Sequence, residues 1–126
     1  MTQRRFLAFY GDDQTGSTDV MEALELRGVP TVLFTGIPTP EQEARFHDRL
    51  AVGIAGTSRS ETTAWMDANL PSIFAWLKDQ DAEICHYKIC STFDSSPTIG
   101  SIGRALDIGA AIFNQDSTAL VVGAPE

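Results

Sequence analysis

The sequence lacks a long apolar run, has few cysteines and is poor in positive charge. No apolar stretch approaches the roughly 20 residues that a membrane-spanning helix needs, and we find no signal peptide. The chain has 9 basic and 17 acidic residues, a formal net charge of −8, which argues against nucleic acid or an anionic membrane as a partner. Cys85 and Cys90 fit neither a redox pair nor a zinc site, and we interpret them as reduced core thiols of a cytoplasmic protein.

Several motifs for nucleotides and nucleophiles are also missing. There is no G-x-x-x-x-G-K-[ST] phosphate loop and no G-x-S-x-G turn for a nucleophilic serine. Gly100-Ser-Ile-Gly103 is expected to lie too deep in a helix to bind a dinucleotide. His47 and His86 stand apart from other ligand types, so neither is interpreted as catalytic or metal-binding. A phospho-acceptor receiver domain needs an aspartate after its third strand, where this chain has Gly56 and Thr57.

What the sequence does contain is a regular alternation of strand-like and helix-like segments. Its 126 residues, 43% of them apolar, are expected to form one domain with a substantial core. Strands are predicted at Arg5–Tyr10, Thr31–Thr35, Leu50–Ala55, Ile84–Cys90 and Ala119–Val122. Helices are predicted at Thr18–Arg27, from Thr39 to His47 or Asp48, from Glu61 to about Lys78, and from Pro97 through Phe113, with Pro71 expected to kink or divide the third. The pattern predicts a three-layer α/β/α fold around a doubly wound, mainly parallel sheet of about five strands.

Hydroxyl and proline residues mark the expected helix starts. The segment Thr39-Pro40-Glu41-Gln42 has the pattern of a capping box with proline in the first turn. Ser60 is expected to cap the third helix, and Ser95-Ser96-Pro97 to cap the fourth. Each of these predictions rests on local chemistry alone.

The stretch Gly11-Asp-Asp-Gln-Thr-Gly-Ser-Thr-Asp19 places acidic residues directly after the first predicted strand. Ligands of open α/β sheets bind beyond the carboxyl ends of the strands, so Asp12, Asp13 and Asp19 lie where chemistry is usually done. Aspartate also caps turns and helix starts routinely. The spacing alone leaves both interpretations open.

The loops after strands one, three and four are expected to open on the same edge of the sheet. They contain small hydroxyls beside charges of both signs: Asp12, Asp13, Thr15, Thr57, Ser58, Arg59, Ser91, Thr92, Asp94, Ser95 and Ser96. Arg59 stands at a helix start, where the helix dipole disfavours a cation, so an anionic ligand or an aspartate should accompany it. Lys88 lies near the same edge, and either it contacts a ligand or it pairs with Asp12 or Asp94.

Three motifs at this edge resemble those of the N-terminal domain of the four-carbon acid sugar kinases, which include the 3-oxo-tetronate, threonate and erythronate kinases. They are G-D-D-Q-T-G-S-T-D (Gly11–Asp19), G-T-S-R-S (Gly56–Ser60) and Y-K-I-C-S-T-F-D-S-S (Tyr87–Ser96). The resemblance covers essentially all 126 residues, with the motifs in the same order. Gln14 departs from it, because the motif usually carries Phe or Leu there.

The resemblance implies an ATP-dependent kinase that phosphorylates a terminal hydroxyl of a four-carbon sugar acid. It implies ATP and Mg²⁺ as cofactors of the full-length family, with most of the nucleotide site on a C-terminal domain that is absent from residues 1–126. We therefore expect a truncated product, a split gene or an excised domain that is inactive alone and binds no nucleotide tightly. The alternatives are a non-catalytic module that binds a small acid and, third, a Mg²⁺-dependent phosphatase that uses the paired aspartates.

The resemblance, together with the requirements of phosphoryl transfer, assigns expected roles to the residues at this edge. Asp13 is expected to act on the reacting hydroxyl, with Asp12 supporting it or helping to hold Mg²⁺. Arg59 and Lys88 are expected to hold the carboxylate of the substrate, Arg59 through a bidentate pair. The remaining expected substrate contacts are Ser91, Thr92, Asp94, Ser95, Thr15 and Ser58.

Overall fold

The computed structural model describes residues 4–121, and its centre is a parallel sheet with helices on both faces. The strands are β1 (Leu7–Gly11), β2 (Thr31–Phe34), β3 (Ala51–Ala55) and β4 (Ile84–Lys88). The helices are α1 (Gln14–Glu25), α2 (Pro40–Arg45), α3 (Thr63–Asp79) and α4 (Ile102–Phe113), with a short 3₁₀ turn at Ser58–Ser60. The strand order is β2-β3-β1-β4, and every pair is parallel.

Successive residues of β1 point to opposite faces of the sheet and divide the core in two. Leu7 and Phe9 pack with Val20 and Leu24 of α1 on one face. Ala8 and Tyr10 belong to the larger cluster on the other face, which includes residues of α3 and α4: Met66, Leu70, Phe74, Leu77 and Ala105. All five residues of β1 are buried, as expected of a strand covered on both sides. The predicted three-layer α/β/α fold is therefore confirmed.

The sheet has four strands within residues 4–121, where about five were predicted. Residues 119–121 of the predicted strand Ala119–Val122 form no strand, and Val122 lies outside the described residues. The predicted strand Ile84–Cys90 ends earlier, at Lys88. Lys88 is aligned with Gly11, the last residue of β1, so the chain beyond it has no neighbouring strand to pair with.

Three helices, α1, α3 and α4, begin at other residues than predicted. Helix α1 starts at Gln14 instead of Thr18, because Asp13 caps it by accepting a hydrogen bond from the Gly16 N–H at 2.7 Å. Helix α3 is capped by Thr62, not by Ser60, which lies in the preceding 3₁₀ turn. It then runs through Pro71 as one helix, so of the predicted kink or division the division is absent. The capping box of α2 is present as predicted, with hydrogen bonds in both directions between Thr39 and Gln42.

Helix α4 begins at Ile102 and is capped by Ser101, so the predicted start at Pro97 with a Ser95-Ser96-Pro97 cap is wrong. Gly100 explains the late start. Its φ is +59°, and a Cβ at this position would lie 2.2 Å from the carbonyl oxygen of Arg59. A left-handed residue in contact with another loop cannot continue a helix, so residues 100–103 form its beginning and not its interior. Ser96 instead closes a turn by accepting the Ile99 N–H at 2.9 Å.

The outer side of β4 faces a mostly apolar groove of about 390 Å³ between this strand, α4 and residues 115–121. Cys85 lies on this side and is exposed, while Cys90 is half-buried. Both thiols are free, as predicted, but neither lies in the core. Within residues 4–121, no helix is long and apolar enough to cross a membrane.

Candidate functional site

Backbone hydrogen bonds join the three loops that leave the carboxyl ends of β1, β3 and β4. The Gly56 N–H donates to the Gly11 carbonyl at 2.9 Å, and the Asp12 N–H donates to the Lys88 carbonyl at 3.0 Å. The Arg59 N–H donates to the Asp12 carbonyl at 3.0 Å. The predicted convergence of these loops on one edge of the sheet is therefore confirmed.

The Arg59 guanidinium connects the side chains of all three loops. Its Nη1 donates to Asp13 Oδ2 at 3.2 Å, and its Nη2 donates to Asp94 Oδ2 at 2.6 Å. Thr92 Oγ1 donates to the same Asp94 oxygen at 2.8 Å and accepts a longer bond, 3.4 Å, from Arg59. The hydrogen bond from Arg59, with that from Thr92, holds the pKa of Asp94 below its usual value. Arg59 thus has the aspartate partners that were expected, although it lies in the 3₁₀ turn and not at the start of α3.

The two adjacent aspartates differ in what their oxygens contact. Asp13 has both engaged, Oδ1 with the Gly16 N–H and Oδ2 with Arg59. Asp12 is only 4% exposed, and its Oδ1 has no hydrogen-bond partner among residues 4–121. Burial, and then the charge of Asp13, raise the pKa of Asp12 to about 6, against the opposing effects of the Cys90 N–H, Arg59 and Lys88. Asp12, not Asp13, is the carboxylate with an uncommitted oxygen.

The side chain of Lys88, the last residue of β4, lies near the start of α1. Its Nζ donates to the Ile89 carbonyl at 2.6 Å. A Cβ at Gly16 would lie 2.6 Å from Asp13 Oδ1 and 3.7 Å from Lys88 Nζ, so the bare glycine backbone leaves room for both groups. In the described part of the chain Lys88 forms no salt bridge, so neither predicted pair, with Asp12 or with Asp94, is present.

Ser58 is fully buried, and its hydrogen bonds hold the loop after β3 in place. Its Oγ shares a hydrogen bond of 2.5 Å with the Tyr87 hydroxyl, and its N–H donates to the Tyr10 hydroxyl at 3.3 Å. The two tyrosine rings stack 5.3 Å apart, and burial raises the pKa of Tyr87. This arrangement fixes the turn that carries Arg59. Sequence reasoning missed both tyrosines, although each lies at or next to the end of a strand that leads into the site.

The other predicted site residues lie on the same edge with different surroundings. Thr15 is exposed in the first turn of α1, and Ser91 is exposed in the loop after β4. Ser95 Oγ accepts the Ile102 N–H at 3.0 Å, which ties this loop to the start of α4. Asp19 is exposed within α1, away from the cluster around Arg59 that Asp12, Asp13, Lys88, Thr92 and Asp94 form.

The described residues contain no group of three or more His, Cys, Asp or Glu side chains that could hold a metal ion. Mg²⁺ usually keeps several waters and binds through one or two carboxylates and the phosphates of a substrate. The unpartnered oxygen of Asp12 suits one such bond. The residues present therefore fit a Mg²⁺ ion that substrate phosphates complete, and not a closed metal site.

Comparisons with known proteins agree on one group of relatives. A sequence model described as "Sugar-binding N-terminal domain" matches residues 7–126. A 3-oxo-isoapionate kinase of Paraburkholderia graminis is 56% identical over 119 residues, which are 94% of this chain and 25% of that protein. A 3-oxo-tetronate kinase of Pseudomonas fluorescens is 39% identical over 125 residues, 98% of this chain and 28% of that protein.

A solved structure has the same fold. It is described as a putative tRNA synthase from Salmonella typhimurium LT2, and it superposes with a TM-score of 0.73 at 31% identity. The match covers 86% of this chain and 26% of that one. The chain therefore spans about a quarter of the length of these relatives.

Asp12→Asn is expected to stabilise the fold at high pH and not at low pH. Folding raises the pKa of Asp12 from 3.8 to about 6, so the unfolded chain ionises first and stability falls as the pH rises between these values. The neutral amide removes this cost, which corresponds to about 1–3 kcal/mol. Urea unfolding of both proteins should show this gain at pH 8 and almost none at pH 4. An equal gain in stability at both pH values would contradict the claim that burial destabilises the ionised form of Asp12.

Proposed function

This chain belongs to the family of sugar-binding N-terminal domains, and we propose that it forms the acid-binding part of a kinase that phosphorylates a sugar acid. The two kinases described above are named for 3-oxo-isoapionate and 3-oxo-tetronate. A 3-oxo sugar acid is accordingly the proposed substrate class. Of the three predicted types it matches 3-oxo-tetronate, and the other two, threonate and erythronate, lie close to it in chemistry. Such a molecule offers a carboxylate at one end and hydroxyls along the chain.

The single observation that carries this proposal is the Arg59 guanidinium at the junction of three loops. A chain with a net charge of −8 repels anions as a whole, so it needs a local cation to bind one. Arg59 reaches the edge of the sheet, is about one-third exposed, and has the planar donor geometry that matches a carboxylate. Lys88 adds a second positive charge near the same edge.

We assign to Asp12 the contact with the substrate hydroxyl that receives the phosphoryl group. Phosphoryl transfer requires mainly positioning and charge stabilisation, with an acidic residue that accepts or orients the hydroxyl proton. Asp12 has a free oxygen, whereas Asp13 uses its two oxygens to cap α1 and to hold Arg59. The roles expected from the motif alone are therefore exchanged in this proposal. Thr92 and Ser91 are proposed to contact the other hydroxyls.

ATP would supply the phosphoryl group to such a kinase, and Asp12 would help to hold Mg²⁺, which would offset the charge of the phosphates. The chain spans about a quarter of the length of the kinases it matches, so most of the nucleotide site is assigned to the remainder of such a protein. Without that remainder the chain is expected to bind acid but not to transfer phosphate.

Arg59→Ala should weaken the binding of threonate or erythronate by roughly 1.5–3 kcal/mol, the usual range for a hydrogen bond to a charged group. Isothermal titration calorimetry on the 126-residue chain measures this directly. Arg104→Ala is the matched control, because Arg104 also pairs with an aspartate, Asp67, but lies on α4. Equal affinities of the Arg59 variant and the unmodified chain would refute the assignment of the carboxylate to Arg59.

A coupled assay for ADP release separates a kinase part from a non-catalytic binding module. With ATP, Mg²⁺ and acid, the 126-residue chain alone should release no ADP above background. Adding the part of the P. graminis kinase that lies beyond the matched quarter should restore acid-dependent release if the two parts assemble. Turnover by the chain alone would contradict the assignment of the nucleotide site, and no turnover in either case would favour the binding module.

A further inference from the structure

The carboxylate of Asp94 already binds the Nη2 group of the Arg59 guanidinium. Asp94 Oδ2 accepts from Nη2 at 2.6 Å, the shorter of the two ion pairs that Arg59 makes, and from Thr92 Oγ1 at 2.8 Å. A bidentate bond from an acid substrate would need this same Nη2. Because Nη2 has two N–H groups and already donates to Asp94 and, at 3.4 Å, to Thr92, an acid that binds through Nη2 competes with these acceptors.

The charges around Arg59 also disfavour a third carboxylate. Asp13 and Asp94 already give its single positive charge two negative partners, so an added anion would meet two like charges at close range, with Lys88 as the remaining cation near this edge. Withdrawal of one of the two aspartates would remove part of this repulsion. Asp13 is poorly placed to do so, since its side chain is 24% exposed and its other oxygen caps α1.

Asp94 can withdraw at little cost. Its side chain is 57% exposed, and an ion pair in water contributes little to stability. It belongs to the loop 89–96, which has no helix or strand and passes through a left-handed residue, Phe93, at φ +57°. Both ends of this loop are held, one by the pairing of β4 with β1 and the other by the bond of Ser95 to the start of α4. A movement of its middle would leave the fold intact.

Asp12, the other group assigned to the substrate, lies against the same loop. Its Oδ1 is buried without a partner, although an unsatisfied buried carboxylate oxygen is costly. The Cys90 N–H, from the first part of the same loop, interacts with this carboxylate. The loop thus lies against both groups that the proposed function assigns to the substrate, Asp12 and Arg59.

We propose that Asp94 occupies the subsite of the substrate carboxylate on Arg59, so that a hydroxy acid binds only by displacing Asp94 and the middle of loop 89–96. This inference rests on the proposed function, since it takes Arg59 as the group that binds the acid. It differs from the role expected from the sequence, in which Asp94 contacts the sugar hydroxyls of the bound substrate.

The test is the affinity of the Asp94→Asn variant for threonate or erythronate. The amide keeps the shape of the side chain but removes the competing charge, so the acid should bind about two- to fivefold more tightly, the range that an exposed ion pair supports. Asp48→Asn is the matched control, because Asp48 forms an exposed pair with Arg49 elsewhere and its variant should bind like the unmodified chain. Unchanged or weaker binding by Asp94→Asn would overturn the proposal.

A second readout follows the displaced group itself. Arg59 and Thr92 hold the pKa of Asp94 down in the free chain, and carboxyl ¹³C NMR should show it rising toward its usual value when acid saturates the site. A pKa that stays low in the complex would mean that Asp94 keeps its place. Failure of the unmodified chain to bind any acid is a different result, since that refutes the proposed function on which the inference rests.

Discussion

The parallel register of β1 between β3 and β4 is the constraint on which the site depends. It aligns Gly11 with Ala55 on one side and with Lys88 on the other, so three loops leave the sheet at the same level. Backbone hydrogen bonds from Asp12 and Arg59 extend this alignment one step beyond the strands. The side chains of the site meet because the strands end together, and not because any one loop is long enough to reach the others.

Ion pairs and burial determine how the charged side chains of the site are arranged. Arg59 lies among three aspartates, whose carboxylates differ in burial and in hydrogen bonding. Asp13 is used by the fold, Asp94 is held at the surface by Arg59 and Thr92, and Asp12 is buried with one free oxygen. The buried carboxylate has the raised pKa and the exposed one the lowered pKa, as desolvation and hydrogen bonding require. Of the three, only Asp12 keeps a buried oxygen without a partner among residues 4–121.

Much of this could be predicted from the sequence, because apolar segments alternate with helical ones and polar residues follow the strands. The residues at which the helices start could not be predicted, since several neighbouring residues are equally good caps. Thr62 caps α3 although Ser60 was available, and the start of α4 is set by the contact of Gly100 with the Arg59 carbonyl, a tertiary effect. The sequence likewise names Asp12 and Asp13 together, but only the fold determines which oxygens are already bonded.

The most direct measurement of the central claim is the thermal stability of the unmodified chain in the presence of matched four-carbon compounds. Threonate and erythronate carry a carboxylate and hydroxyls, succinate lacks the hydroxyls, and threitol lacks the carboxylate. A site built from Arg59 and Asp12 predicts that the hydroxy acids raise the unfolding temperature, roughly with the logarithm of their concentration above Kd, and that succinate and threitol have little effect. A shift of equal size with succinate, or no shift with any hydroxy acid, would contradict it.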